Sequence, residues 1–395
     1  MNLLSKSTIL YVNQVRQESF DKLVGKGFSE AFSWRNSFKK IIFLCYSSSN
    51  SSLYKKLFGN CFLIGIPFNL SSSTLKSFLN IGINYLKLLV YLIRITRKTQ
   101  IDIVRMENLL LSGPPVYLLC KLKKIPYVIW LGGYERKSLF FKYQKNIITW
   151  ILSKLIVLFE KTILKNANFV FPVTDELMEL TRIRNVNNKI LSPNYVDLSK
   201  FKDDRHNDNG TPLKKFNIFY VGRFEKEKGI KVLLNAIKIL SDELNNFEVS
   251  LIGDGSLKGW MENYVKRNKI KNVKFLGTFS HEEMPKLYNQ ADIFILPSFT
   301  EGSPASLIEA MSCGTASIAT SVGLCEKFIT NGENGILIPP GDPYKISEAI
   351  QILMSDKDLL RKFQKNGRKT ILKYTRNYAK IHRYVYEKIL NQTKN

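Results

Sequence analysis

At 395 residues the chain is too long for one typical core, so two domains are expected. Its 59 Lys and Arg against 33 Asp and Glu leave a net charge of +26, which calls for an anionic partner: nucleic acid, a membrane surface or a phosphorylated substrate. The histidines are His206, His281 and His382, and neither they nor the five cysteines show metal-type spacing; this argues against a zinc site and a Ser-His-Asp triad, and the cysteines fit reduced, buried thiols.

In chain order, Met1 to Leu10 is too short and too polar for a signal peptide, and no apolar run reaches the length of about 18 residues that a membrane span needs. Strands are expected at Thr8–Val12, Lys40–Cys45 and Cys61–Gly65, with loops at Asn13–Gly27 and Ser47–Ser52. Leu75 to Thr96 has helical period, with Leu79, Ile83, Leu86, Leu89, Val90 and Ile93 on a wide apolar stripe interrupted by Lys87 and Arg94. A strand at Ile101–Arg105, a helix within Leu109–Leu122 starting after Pro115, and a strand at Ile125–Leu131 follow. Alternating strands and helices predict a parallel sheet with ligands beyond the strands' carboxyl ends. Gly132, Gly133 and Glu135 occupy such an end and are candidates for an acceptor side.

Between Lys121 and Lys145 seven basic residues oppose Glu135 alone, with Phe140, Phe141 and Tyr143 among them, and Ile147–Leu164 follows as an apolar helix. Two readings stand for residues 121–164: a patch that meets an anionic membrane surface, or a core helix with a solvated basic edge. Ala167–Val173 reads as a strand, and Thr174-Asp175 caps a helix to Arg184. The polar run Lys200–Lys215 is the expected linker.

A second set of elements begins with a strand at Asn217–Val221, leading into Gly222-Arg223-Phe224-Glu225-Lys226-Glu227-Lys228-Gly229 and a helix from Ile230. Glycine lets a phosphate approach the backbone, and two cations near a helix entrance suit its charge. The strand Val249–Ile252 ends in Gly253-Asp254-Gly255, and Val273–Leu276 leads to Gly277-Thr278-Phe279; a helix is expected from His281 through Gln290. The apolar run Ile293–Leu296 then feeds Glu301-Gly302-Ser303-Pro304, where Ser303 is the expected N-cap and Pro304 the first helical residue, with Gly314 as stop. Glu301 lies on the loop and Glu309 on the helix, so the two carboxylates do not share a helical face. Two hydroxyl acceptors beside a helix amino end that accepts phosphate suit a sugar joined to a nucleotide diphosphate.

The stretch Glu301-Gly302-x-Pro304 … Glu309-Ala310, followed by Cys313-Gly314-Thr315, Gly323 and Asn334-Gly335-x-x-Ile338-x-Pro340-Gly341-Asp342, resembles the E-x7-E signature of retaining family-4 glycosyltransferases of the GT-B fold. Gly222-Arg223 … Lys228-Gly229 is similar to the same family's Gly-Arg … Lys-Gly element, and Asn194-Tyr195-Val196-Asp197 … Phe201 to its Asn-Gly-Val-Asp … Phe element, with Tyr195 in place of glycine. The family's early glycine pair and its histidine near Gly132-Gly133 have no counterpart here. The resemblance is dense over Asn217–Ala349 and thin over residues 1–190.

It implies an α/β protein of two Rossmann-like domains with parallel sheets facing across a cleft. An acceptor-side domain would span 1–198, a linker 199–215, a donor domain 216–372, and a helix crossing back 373–395. Arg223 and Lys228 would neutralise the donor diphosphate, Glu301 would hold the transferred sugar, and Glu309 the ribose. Gly222, Gly253, Gly255, Phe279, Gly302, Ser303 and Pro304 would complete the donor site without a metal. The activity implied is retaining transfer from a nucleotide sugar to a hydroxyl, with a lipid-linked glycan of envelope or capsular polysaccharide assembly as the expected acceptor and the cytoplasmic membrane face as the expected location. A catalytically silent scaffold of the same fold and a nucleic-acid-binding protein are the competing readings; dispersed basic residues and the lack of a nucleic-acid-binding motif weigh against the latter.

Overall fold

A computed structural model describes residues 3–16, 38–47, 53–56, 60–67, 74–107, 109, 112–132, 158–204 and 215–394. It divides into two compact units, Met1–Pro193 with Ala379–Asn395, and Asn194–Tyr378. The division falls ahead of the expected 199–215 linker. Val196 and Phe201 are buried in the second unit's core, and Asp197 turns the chain by accepting from the Ser199 N–H at 3.0 Å, so these residues fold with the second unit.

The first unit holds a sheet ordered β3-β4-β2-β1-β5-β6-β7, in which β1 is Thr8–Arg16, β2 Lys40–Ser47, β3 Leu53–Lys56, β4 Cys61–Pro67, β5 Ile103–Met106, β6 Tyr127–Leu131 and β7 Phe169–Pro172. Its pairings are parallel except for β3 against β4. Strand β3 is not among the expected strands; Tyr54 and Phe62 stack across it at 6.0 Å, a cross-strand aromatic pair that a four-residue segment does not announce in sequence. Strand β1 runs on to Arg16, into the stretch expected to be loop from Asn13. Leu10, Val12, Ile42, Leu44, Val104, Met106, Ile129 and Leu131 share one buried face of the sheet with helices α1 (Thr74–Lys98) and α2 (Gly113–Lys123), while Ile9, Tyr11, Ile41, Phe43 and Ile103 are buried on the other. Helix α2 starts at Gly113 rather than after Pro115, because Pro114 and Pro115 fall in the first turn, where no N–H is needed. Helix α3, Asp175–Ile183, begins as expected: Thr174 accepts the Leu177 N–H at 3.2 Å.

The second unit holds a wholly parallel sheet ordered β10-β9-β8-β11-β12-β13, from β8 Phe216–Val221, β9 Phe247–Ile252, β10 Val273–Gly277, β11 Ile293–Leu296, β12 Ala316–Thr320 and β13 Ile336–Ile338. Both faces are buried. Ile218, Tyr220, Val249, Leu251, Ile293, Ile295 and Ile318 pack with helices α4 (Ile230–Glu243) and α9 (Pro343–Ser355). Phe219, Ile252, Phe294, Leu296 and Ala319 pack with α7 (Ala305–Ser312) and α8 (Cys325–Phe328). Short helices α5 (Lys258–Arg267) and α6 (Met284–Tyr288) complete this unit, and α10 spans Lys357–Lys394. After β10 the chain crosses to the other side of β8, so the order reverses between β8 and β11. At such a switch point the connections leave in opposite directions and open a crevice at the carboxyl ends.

Candidate functional site

The connections after β8 and β11, residues 222–229 and 297–304, meet at that switch point. The Phe299 N–H donates to the Glu227 carbonyl at 2.9 Å. Gly229 has φ +66°, and a Cβ there would stand 1.8 Å from the Pro297 carbonyl oxygen, so only glycine allows the two loops to approach this closely. The next residue back is thereby aimed across the junction: Lys228 Nζ donates to Glu301 Oε1 at 2.7 Å, with side chains 21% and 8% exposed. The same oxygen accepts from the buried Ser298 hydroxyl at 2.7 Å. Ser298 is itself fixed, its carbonyl accepting from Thr320 Oγ1 at 2.6 Å. No group among the described residues binds Glu301 Oε2, which leaves one carboxylate oxygen to accept from a ligand.

Behind this pair, Gly323 (φ +55°) lets the loop after β12 touch the Glu301 backbone, and the Leu324 N–H donates to the Gly302 carbonyl at 3.4 Å. The Cys325 thiol sits in the same wall. Burial, with the Glu301 charge adding to it, pushes its pKa up to about 12, so it is a structural thiol rather than a nucleophile.

Glu309 projects from α7 with both oxygens engaged. Tyr288 OH donates to Oε2 at 2.9 Å, and His281 Nε2 lies 3.1 Å from Oε1. Tyr288 is fully buried, and burial, followed by the Glu309 charge, raises its phenol well above the ordinary value, so it stays a donor. The His281 ring packs on Phe201 at 4.9 Å. Each Glu309 oxygen keeps a second lone-pair direction, so the carboxylate is oriented without being exhausted.

Sequence expectation and structure differ at two places here, Ser303 and His281. Ser303 is not the N-cap of α7: the helix starts at Ala305 with Pro304 in the cap position and no side-chain cap. The Ser303 hydroxyl instead accepts the Asn194 N–H at 2.6 Å, and its carbonyl accepts from Asn194 Nδ2 at 3.3 Å. The first-turn N–H groups of α7 are thus left for an anion, beside Glu301. His281 does not begin a helix; α6 starts at Met284, and His281 lies in the preceding turn, facing Glu309. The Arg223 guanidinium is 68% exposed and pairs with Glu227 at 2.9 Å. Gly132 is exposed at the carboxyl end of β6, and the order reversal of the first sheet lies between β1 and β5. Arg105 and Glu107 stand there, paired at 3.1 Å, with the Arg105 guanidinium over the Tyr11 and Trp130 rings. Gly133 and Glu135 lie outside the described residues, as does most of the 121–164 patch.

Gly222, Gly253 and Gly255 line the neighbouring carboxyl ends. The Gly222 N–H donates to the Ile252 carbonyl at 3.0 Å, the Gly253 N–H to the Gly277 carbonyl at 2.8 Å, and the Phe224 N–H to the Asp254 carbonyl at 2.9 Å. Phe279 is part-exposed on the loop after β10. Tyr288 and His281 escape sequence reasoning as site residues because their partner, Glu309, lies 21 and 28 residues away; Ser298 is three residues from Glu301, and its one local signal is a hydroxyl just past Pro297 at the end of a buried strand. Among the described residues, no three His, Cys, Asp or Glu side chains gather as a metal-holding group.

Residues 201–370 match the family described as "Glycosyl transferases group 1". The capsular polysaccharide biosynthesis glycosyltransferase CapM of Staphylococcus aureus is 30% identical over 182 residues, 45% of this chain and 46% of CapM. The chain spans about two fifths of the length of several other curated relatives it matches. Sucrose-phosphate synthase from Thermosynechococcus elongatus superposes with a TM-score of 0.71 at 21% identity, covering 96% of this chain and 99% of that one. HepE of Anabaena, solved in complex with UDP-glucose, superposes with a TM-score of 0.62 at 15% identity, covering 95% and 98%. The fold is GT-B.

Proposed function

We propose that this protein is a retaining glycosyltransferase of the family-4 type, moving a sugar from a nucleotide-diphosphate-sugar donor to a hydroxyl acceptor. The observation that carries the reading is the Lys228–Glu301 pair at the β8/β11 switch point, with Glu309 oriented one helical stretch further on. In this reading the α7 amino end and Lys228 take the diphosphate, and Arg223 swings from Glu227 to join them. Glu309 accepts the ribose hydroxyls and the open oxygen of Glu301 accepts hydroxyls of the transferred sugar. Positive charge held at the leaving diphosphate stabilises the transition state. The acceptor attacks from the face the nucleotide leaves, and a donor phosphate oxygen takes its proton, so the anomeric configuration is retained without a metal.

Group 1 matching and the superposition on a UDP-glucose-bound protein support the donor class. The likeness to CapM and the net charge of +26 support an acceptor carried on a lipid phosphate at the cytoplasmic membrane face, in envelope or capsular polysaccharide assembly. The test is product analysis: nucleotide sugar is incubated with the protein and lipid-linked acceptor, with and without EDTA, and the new anomeric centre is read by NMR. Retention at an EDTA-independent rate is expected; inversion, or complete dependence on added divalent metal, refutes the mechanism.

A further inference from the structure

Helices α1, α2 and the helical residues 158–165 cover the same face of the first sheet, burying Leu88, Leu92, Val116, Leu119, Ile163 and Leu164 beneath them. Their opposite sides should be polar, as on an ordinary surface helix. They are not. Leu86 is 67% exposed and Leu122 72% exposed, and Ile83, Val90, Leu118, Leu158 and Phe159 are exposed with them. Single exposed apolar residues need no explanation, but a cluster on one covering layer marks a binding face.

The charges on these segments are one-sided. Helices α1 and α2 contain no acidic residue, while Arg94, Arg97, Lys98, Lys121 and Lys123 are exposed on them and Lys124 directly after α2. The one acid within 158–165, Glu160, is buried and paired with Arg184 at 3.5 Å. Lys121 and Arg94 lie over the Tyr117 and Tyr91 rings, at 5.9 and 5.8 Å, stems on apolar surface and cations outward.

We propose that this α1–α2–158–165 layer docks the protein on an anionic lipid bilayer, its leucines entering the headgroup boundary and its cations pairing with lipid phosphates. Among the described residues no helix is long and apolar enough to cross a membrane, so this is a surface seat rather than a span. A second copy of the chain is a poorer occupant. A symmetric contact would press this all-basic rim against itself, whereas an acidic bilayer complements it. The inference rests on the membrane-face location proposed for the transferase and names the surface that would provide it.

The experiment is vesicle co-sedimentation of the full chain, with phosphatidylglycerol-containing and pure phosphatidylcholine vesicles, alongside light scattering for mass. The variants are Leu86→Ser/Leu122→Ser and Arg94→Gln/Lys121→Gln, all substitutions at exposed positions. Wild type is expected to sediment with the anionic vesicles only, each double variant to bind about tenfold more weakly, and about 0.5 M salt to weaken wild type strongly. Donor-induced thermal shifts, which report the second unit, should be unchanged in both variants. Equal binding by wild type and both variants, or a wild-type dimer that Leu86→Ser/Leu122→Ser converts to monomer with vesicle binding intact, would overturn the assignment. Loss of donor shifts in wild type itself would instead indict the transferase reading.

Discussion

Removing the Lys228 ammonium tests whether the switch-point junction is held by charge. In Lys228→Met the Glu301 carboxylate, 8% exposed, keeps Ser298 as its remaining hydrogen-bond donor. Breaking a fully buried pair by deleting one partner costs about 3–5 kcal/mol. The surviving Ser298 bond and the 21% exposure of Lys228 reduce that to about 2 kcal/mol here. Glu301→Gln keeps the shape and removes the opposite charge, at about 1–2 kcal/mol, since the ammonium can reach solvent. The double variant should be more stable than the sum of the two, with a coupling energy of about 1–2 kcal/mol, because neither group is then stranded. Urea titration at neutral pH reads all four corners of the cycle, and for a domain of about 150–250 residues each kcal/mol also moves Tm by roughly 2–4 °C. Additivity within about 0.5 kcal/mol would refute the account, for it would mean that the two side chains do not share an environment.

Tyr288→Phe removes the hydroxyl that fixes Glu309 Oε2; we expect a loss of about 1–2 kcal/mol by urea titration and a donor KM raised several-fold with kcat less affected, in steady-state kinetics. Gly229→Ala must relieve a 1.8 Å clash with the Pro297 carbonyl at a positive φ and should lose about 2 kcal/mol or more, whereas Gly259→Ala, in α5 with open space around it, should be neutral or stabilising by a few tenths of a kcal/mol; paired melting curves compare them. All five cysteines are buried thiols outside any disulfide, and Cys120 and Cys325 are both pushed up to about 12, so their thiolates are scarce at pH 8. Ellman's reagent at that pH should therefore find almost no reactive thiol in the native protein and five after denaturation.

The strand-and-loop grammar of the second unit is legible because its signals are local. Apolar runs such as Ile293–Leu296 are bounded by glycine, proline and charge, and they end where Lys228 and Glu301 emerge. The illegible features depend on partners far along the chain. Ser303 has every local feature of an N-cap, yet Asn194, 109 residues earlier, takes its hydroxyl. His281 reads as a helix start, and only the packing of α7 against Tyr288 places it on Glu309. Arg223 follows Gly222, where a phosphate contact is expected from the sequence, while its guanidinium pairs with Glu227, four residues on. In the first unit, strand order alone reveals that the reversal lies between β1 and β5, beside Arg105. Sheet order is set by long-range pairing, and no spacing along the chain encodes it.

The most direct measurement is a thermal-shift panel of nucleotide sugars and free nucleotides on wild type, Lys228→Ala and Glu309→Ala. A ligand that binds the native state at about 100 times its Kd stabilises by about 2.7 kcal/mol, a readily measured shift. The account predicts a raised Tm with one nucleotide class and loss of that rise in both variants. No shift with any nucleotide sugar, or an undiminished shift in both variants, would contradict it.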